Sequence, residues 1–224
     1  MESGLTSIGS HSFQNCSNLN NIDVNENNSY FSSLDGVLYN KDKTKIIKCP
    51  EKKEEVIIPD SVIEIGENAF YLCNQLRNIE LPNSVTIIGN YAFWNSSLRK
   101  VELSENITSI GDYAFAYTRS LSNIEIPRSV TYIGKSAFYL CASFTDIKIP
   151  DNITNIESHT FWTCSSLKSI DIPSTITNIG EYAFDNCNKL TTINYHGTEE
   201  EFNSITIGEN NDPFTNATVN YITD

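Results

Sequence analysis

Val130-Thr131-Tyr132-Ile133-Gly134-Lys135-Ser136-Ala137-Phe138 is the cleanest copy of a pattern that recurs along the chain. Aligned on its phenylalanine, the equivalent anchors are Phe70, Phe93, Phe115, Phe138, Phe161 and Phe184, in steps of 23, 22, 23, 23 and 23. The short step is a single deletion in Phe93-Trp94-Asn95-Ser96-Ser97-Leu98. Phe13 is a further anchor, and the step from it to Phe70 is 57, one period of 23 plus an insertion of 34. A fixed period of this length signals a solenoid, in which each coil buries its apolar face only against its neighbours.

Downstream of the anchors the recurrent frame is a Leu and then Ile, any residue, Ile, Pro, with substitutions such as Phe144 for the Leu and Ser104 for the Pro. Leu121-Ser122-Asn123-Ile124-Glu125-Ile126-Pro127 carries the L-x-x-L-x-L core of a leucine-rich repeat with Ile at two positions. Alternation of Ile and polar residues describes a half-buried strand, one per coil, stacking into a parallel sheet. Pro82, Pro127, Pro150 and Pro173 end that strand, because proline cannot donate to the ladder. The expected fold is an α/β solenoid of leucine-rich type, mostly short parallel β-strands with turns and short helical segments, in a right-handed stack of about 23-residue coils.

Other recurrent positions have physical readings. Gly66, Gly89, Gly111, Gly134 and Gly180 stand where the chain leaves a short segment, and a positive φ is expected there; Glu157 holds that place in one coil. Ser61, Ser84, Asn106, Ser129, Asn152 and Thr175 follow the strand-ending turn and form a polar ladder that bonds the turn backbone. Cys16, Cys73, Cys141, Cys164 and Cys187 lie three residues after an anchor, with Thr118 in the same slot of another coil and Cys49 outside the pattern. Parallel Cβ vectors on stacked coils do not converge as a disulfide requires, so these cysteines read as small buried hydrophobes, with disulfides or a metal as the other possibility.

The I-G-x-x-A-F-x-x-C-x-x-L-x-x-I-x-I-P pattern resembles the BspA-like leucine-rich repeat family, also called the Treponema pallidum type. The resemblance covers nearly the whole chain and is specific for fold; for function it implies adhesion to host or partner-cell proteins. Residues 33–50 resemble a family element too, and read as two short strands around a polar turn at Asn40 to Lys43, a hairpin projecting from the solenoid edge. The basic run through Lys53 reads as a solvated turn. Four segments follow: a first, uncapped repeat at 1–22, the inserted hairpin segment completing the first coil at 23–57, the solenoid proper at 58–194, and a C-terminal cap at 195–224. In the cap, Thr198 and Glu201 have capping-box spacing at the start of a short helix, and Ala217 to Ile222 alternates like a closing strand. The uncapped first repeat leads us to expect a fragment or short paralogue of a longer protein.

Charge narrows the partners. A net charge of −13 with 15 Lys and Arg disfavours nucleic acid and anionic membrane surfaces. No apolar run reaches the roughly 20 residues of a membrane span, and residues 1–20 lack the features of a secretory signal.

Two surface stripes are candidates for recognition. The outward strand positions, expected on a concave face, are Asp23, Glu80, Glu102, Glu125, Lys148, Asp171 and Asn194. Glu80, Glu102 and Glu125 would stack like charges roughly 4.8 Å apart; they read either as a solvated acidic face or as a site for a basic partner or a loosely held divalent cation. Beside the anchors run Tyr71, Trp94, Ala116, Tyr139 and Trp162, with Tyr91, Tyr113, His159 and Tyr182 two residues before them. These aromatics either pack coil on coil or contact a protein or glycan.

Catalysis finds little support. His11, His159 and His196 lie in unlike contexts, the pairing of His159 with Cys164 has no third orienting group, and neither a phosphate loop, zinc spacing nor nucleophile elbow is present. No cofactor or metal site is expected. The sequence therefore points to a non-catalytic, extracellular or cell-surface protein-recognition module, its partner an extracellular-matrix or host surface protein. Carbohydrate binding through the aromatics and a cytoplasmic scaffold are the alternatives.

Overall fold

The computed structural model describes residues 1–9, 12–13 and 16–223; His11 lies outside them. The strands follow chain order as β1 (Phe31–Leu34), β2 (Val37–Asn40), β3 (Lys45–Lys48), β4 (Glu64–Ile65), β5 (Asn78–Glu80), β6 (Ile87–Ile88), β7 (Lys100–Glu102), β8 (Ser109–Ile110) and β9 (Tyr132–Ile133). They continue as β10 (Asp146–Lys148), β11 (Asn155–Ile156), β12 (Ser169–Pro173), β13 (Asn178–Ile179) and β14 (Thr192–His196). Then come helix α1 (Glu199–Asn203), β15 (Thr206–Ile207), helix α2 (Asp212–Thr215) and β16 (Thr218–Tyr221).

The coils stack into a β-solenoid with two ladders of strands. One ladder is built from the segment before the repeat glycine: β3-β4-β6-β8-β9, followed by β11-β13-β15, every pair parallel. Its register places Ile65, Ile88, Ile110 and Ile133 in one buried column. The other ladder, from the Ile-x-Ile segment, is divided into β5-β7 and β10-β12-β14-β16. The break falls at Leu121 to Pro127, the stretch that most resembles a strand in sequence, which carries no ladder. Its Ile124 N–H donates to the Asn123 side chain at 2.7 Å, so a local bond has taken the donor that a ladder would use.

Between the ladders the backbone alternates in hand instead of forming a helix. Around Phe115, Tyr113 and Tyr117 have φ of 55° and 62°. The N–H groups of Tyr113, Phe115 and Tyr117 donate to the next coil, at Lys135, Ala137 and Tyr139, over 2.9, 2.8 and 2.7 Å. Those of Ala114, Ala116 and Thr118 close turns onto Gly111, Tyr113 and Phe115. Each left-handed residue costs roughly 1–2 kcal/mol, and the arrangement offsets this by leaving every amide along this turn bonded.

The repeat glycines do not have the expected positive φ. Among the described glycines Gly36 alone has positive φ. The repeat glycines are small because the preceding coil is too close: a Cβ on Gly134 would lie 2.4 Å from Asp112 Oδ1 and 2.6 Å from Asp112 N.

The core is a column of rings. Phe70, Phe93, Phe115, Phe138, Phe161 and Phe184 are fully buried and stack with centroids 5.0 to 5.7 Å apart. A second column lies beside it. The thiols of Cys141, Cys164 and Cys187 donate to the carbonyls of Phe115, Phe138 and Phe161 at 3.1 to 3.2 Å, and Thr118 donates likewise to Phe93 at 3.1 Å. The slot thus wants a small donor, which explains why Thr substitutes for Cys. Cys49, Cys73, Cys141, Cys164 and Cys187 are unbridged. In the polar ladder, Ser61, Asn106, Ser129, Asn152 and Thr175 donate to the turn of the preceding coil rather than to their own.

The insertion does not project. β1 and β2 join through a left-handed Asp35-Gly36 turn, β2 and β3 through the Asn40–Lys43 turn, and β3 pairs parallel with β4, so the hairpin continues the first ladder. Leu38, Tyr39 and Ile46 are buried. At the other end the capping box of α1 forms, with Glu201 N donating to Thr198 Oγ1 and Thr198 N to Glu201 Oε2. The segment makes one more irregular coil: Phe214 stacks on Phe184 at 4.9 Å, and buried Asn211 accepts the Phe184 N–H and donates to the Gly180 and Gly208 carbonyls.

Candidate recognition surface

Each strand of the second ladder sets an Ile or Val inward and the residue after it outward. In β5 and β7, Ile79 and Val101 enter the core while Glu80 and Glu102 are exposed and directly paired. Lys148, Asp171, Asn194 and Asn220 follow in register on β10, β12, β14 and β16. Glu125 is exposed on the unpaired coil between the two parts, and Asp23 is exposed outside any strand.

The charges along this line are only partly balanced. Lys100 forms an ion pair with Glu102; that bond, with the nearby Glu80 and Glu125 charges, raises the lysine pKa. Among the described residues Glu80 has no such ion-pair partner. Farther along, Asn220 donates to Asn194 at 3.0 Å, Asn194 donates to Asp171 at 2.6 Å, and His196 approaches Asp171 at 3.8 Å. The C-terminal half is therefore a bonded amide ladder and the N-terminal half is the open acidic region.

A groove of about 710 Å³ opens beside Glu80 and Glu102, between residues 54–57 and β5. Glu54, Glu55 and Ile57 form one wall, with Ile57 87% exposed. Sequence reading passed over these residues, although Val56-Ile57-Ile58-Pro59 repeats the strand pattern and puts Ile57 one coil before Glu80.

The aromatic stripe is a packed spine. Tyr71, Trp94, Tyr117, Tyr139 and Trp162 follow one another at 4.7 to 5.1 Å, so Tyr117 takes the place expected for Ala116, which is fully buried. The Lys48 ammonium sits 5.9 Å over Tyr71 at one end and Trp162 Nε1 donates to Asp185 at the other. Tyr71 and Trp94 stack face to face, as do Tyr139 and Trp162, while Tyr117 meets Trp94 at a tilt and Tyr139 edge-on. Tyr91 stacks on Tyr113 and His159 on Tyr182 in the same manner.

His159 spends its ring face on Tyr182, and the Cys164 thiol points to the Phe138 carbonyl in the core, where burial pushes its pKa well up. A thiol so held stays protonated, without nucleophilic character. Among the described residues no group of three or more His, Cys, Asp and Glu is placed to hold a metal ion, and no helix is long and apolar enough to cross a membrane.

Coil length, the twin ladders and the ring column together define a leucine-rich repeat solenoid. A profile of the BspA type leucine rich repeat region matches in six copies over residues 1–56, 48–143 and 108–210, and the chain belongs to this family. Among solved structures it is similar to a leucine rich cell surface protein from Faecalibacterium prausnitzii A2-165, with 31% identity over 87% of this chain and 46% of that one and a TM-score of 0.61. The Treponema pallidum leucine rich repeat protein is 25% identical over 80% of this chain and 83% of that one, with a TM-score of 0.61. The pneumococcal vaccine antigen PcpA, 23% identical over 84% of this chain and 50% of that one with a TM-score of 0.68, shares the fold. The chain spans about half the length of the first and last of these. No curated protein matches it.

Proposed function

We propose that the chain is a non-catalytic recognition module of a cell-surface protein, and that it binds a basic protein partner through the outward face of the second ladder. The observation that carries this reading is the line of outward side chains, Glu80, Glu102, Glu125 and Lys148 exposed and Asp171 half-buried, along a ladder whose alternate residues hold the core. Such positions are free to specify a ligand without disturbing the stack. The acidic cluster at the N-terminal half gives the partner its sign. A surface location is supported by the description of the F. prausnitzii structure as a cell surface protein.

The test is biolayer interferometry of the purified domain against extracellular-matrix and host-surface proteins, with Glu80, Glu102 and Glu125 changed together to Gln as the comparison. Saturable binding that weakens at least tenfold in the variant and with rising salt is expected. Binding that ignores both changes would move the site off this face, and absence of binding across the panel would remove host adhesion as the function.

A further inference from the structure

The groove beside β5 exists because the inserted coil is too short to pair there. Passing from the first ladder to the second takes the chain from Ile65 to Leu81 in one coil and from Ile133 to Ile149 in another, the same advance of 16 each time. The matching passage in the inserted coil, Ile46 to Ile58, advances by only 12. Four residues short, it omits the anchor turn and brings residues 54–57 up beside β5 without entering its ladder. Among the described residues β5 pairs with β7 alone.

The consequence is an open strand edge. In this ladder the N–H of Lys100 reaches back to Arg77 O, and Leu81 N–H reaches forward to Glu102 O. By the same alternation, the N–H and C=O groups of Asn78 and Glu80 point back into the groove, where no described residue bonds them. Exposed Ile57 and half-buried Val56 supply an apolar wall. Glu54, Glu55, Glu80 and Glu102 face Arg77 and Lys100 across the same space. Lys100 is paired with Glu102, and Arg77 donates to Ser97 O at 3.4 Å; among the described residues the carboxylates of Glu54, Glu55 and Glu80 form no ion pair.

We propose that this groove receives an extended segment of a partner protein, alternately apolar and basic, which adds to β5 as the strand the inserted coil fails to provide. Resting on the recognition function proposed above, this gives it a mechanism: main-chain bonds to Asn78 and Glu80 hold the segment, its apolar residues meet Val56 and Ile57, and its Lys or Arg residues meet the free carboxylates. Register follows from the period of two along a strand.

The test uses a fluorescent ten-residue peptide of alternating Lys and Val, a copy N-methylated at alternate residues, and the intact chain. Saturable binding is expected, at least tenfold weaker for the N-methylated peptide and for Asn78→Pro, together with slowed amide exchange at Asn78 and Glu80. The Pro removes an N–H that the β5-β7 ladder does not use, and the methylated peptide leaves the protein untouched should that variant fold poorly. Equal binding of both peptides, binding with protection at β10 to β16 instead, self-association through β5, or no peptide binding would each overturn the proposal. Retained capture of a surface protein by the Asn78→Pro variant would do the same while leaving the broader recognition function standing.

Discussion

Replacing Phe138 by Ala tests the ring column at its middle. Phe138 is fully buried, stacks on Phe115 at 5.7 Å and Phe161 at 5.6 Å, and meets Phe144 at 5.6 Å. Truncating a buried Phe to Ala costs about 3–5 kcal/mol through lost transfer and the cavity left behind. Each of the three lost ring pairs adds about 0.5–1.5 kcal/mol, so a total of roughly 4.5–9.5 kcal/mol is expected. Ordinary domains have about 5–15 kcal/mol in all. In a solenoid the loss acts at one interface between neighbours, so the two sides should part company on unfolding. Trp94 and Trp162 report from opposite sides of Phe138. Urea unfolding followed by fluorescence in Trp94→Phe and Trp162→Phe backgrounds should give one midpoint in the parent and two, both lowered, in the Phe138→Ala chain. A loss below about 1 kcal/mol with coincident midpoints would refute a load shared through the ring column.

The Cys187 thiol is pushed by burial to about 12, and Cys141 and Cys164 are raised well above their usual 9.0. The folded chain holds those protons after the unfolded one has released them, so the contribution is fully present below pH 9 and fades as pH rises toward 12. At about 1.4 kcal/mol per thiol per pH unit, urea stability should fall by roughly 4 kcal/mol between pH 8 and 10; a flat profile would contradict it, as would alkylation of these thiols by iodoacetamide at pH 8 without denaturant. Asn211→Ala strands the buried Phe184 N–H and should cost about 1–3 kcal/mol for that group, measured by thermal unfolding, with early amide exchange in β15 and β16. Gly134→Ala should destabilise by about 1–3 kcal/mol, because its Cβ meets backbone and forces the coils apart. Thr163→Gly, at φ 59°, should be neutral or gain up to about 1 kcal/mol; the opposite order in differential scanning fluorimetry would restore a conformational role for the repeat glycines.

The period, the strands and the buried cysteines were legible because identical physical demands recur every coil. Ile, Phe and Cys return wherever a neighbour must be met. The glycines were misread because local composition does not separate positive φ from close approach between coils, and the distance from Gly134 to Asp112 is tertiary. Left-handed turns escaped notice because Tyr113, Leu140 and Thr163 carry them, residues with no local preference for that conformation. Leu121 to Pro127 has the strand pattern but carries no ladder, and its Ile124 N–H is taken by the Asn123 side chain, an outcome that alternation cannot reveal. Ala116 was assigned to the aromatic stripe by position, yet Tyr117 reaches it through the turn geometry. The acidic stripe was visible as spacing. Its groove depended on a shortfall in the inserted coil, which is countable in the sequence once the strands are known.

The most direct test of the recognition role is an amide-exchange footprint of the chain with a surface protein captured in the binding screen. Protection is expected along β5 and β7 and toward β10, with the turns carrying Tyr117 and Tyr139 unchanged. Protection confined to those turns, with β5 and β7 exchanging as freely as before, would contradict binding through the outward strand face.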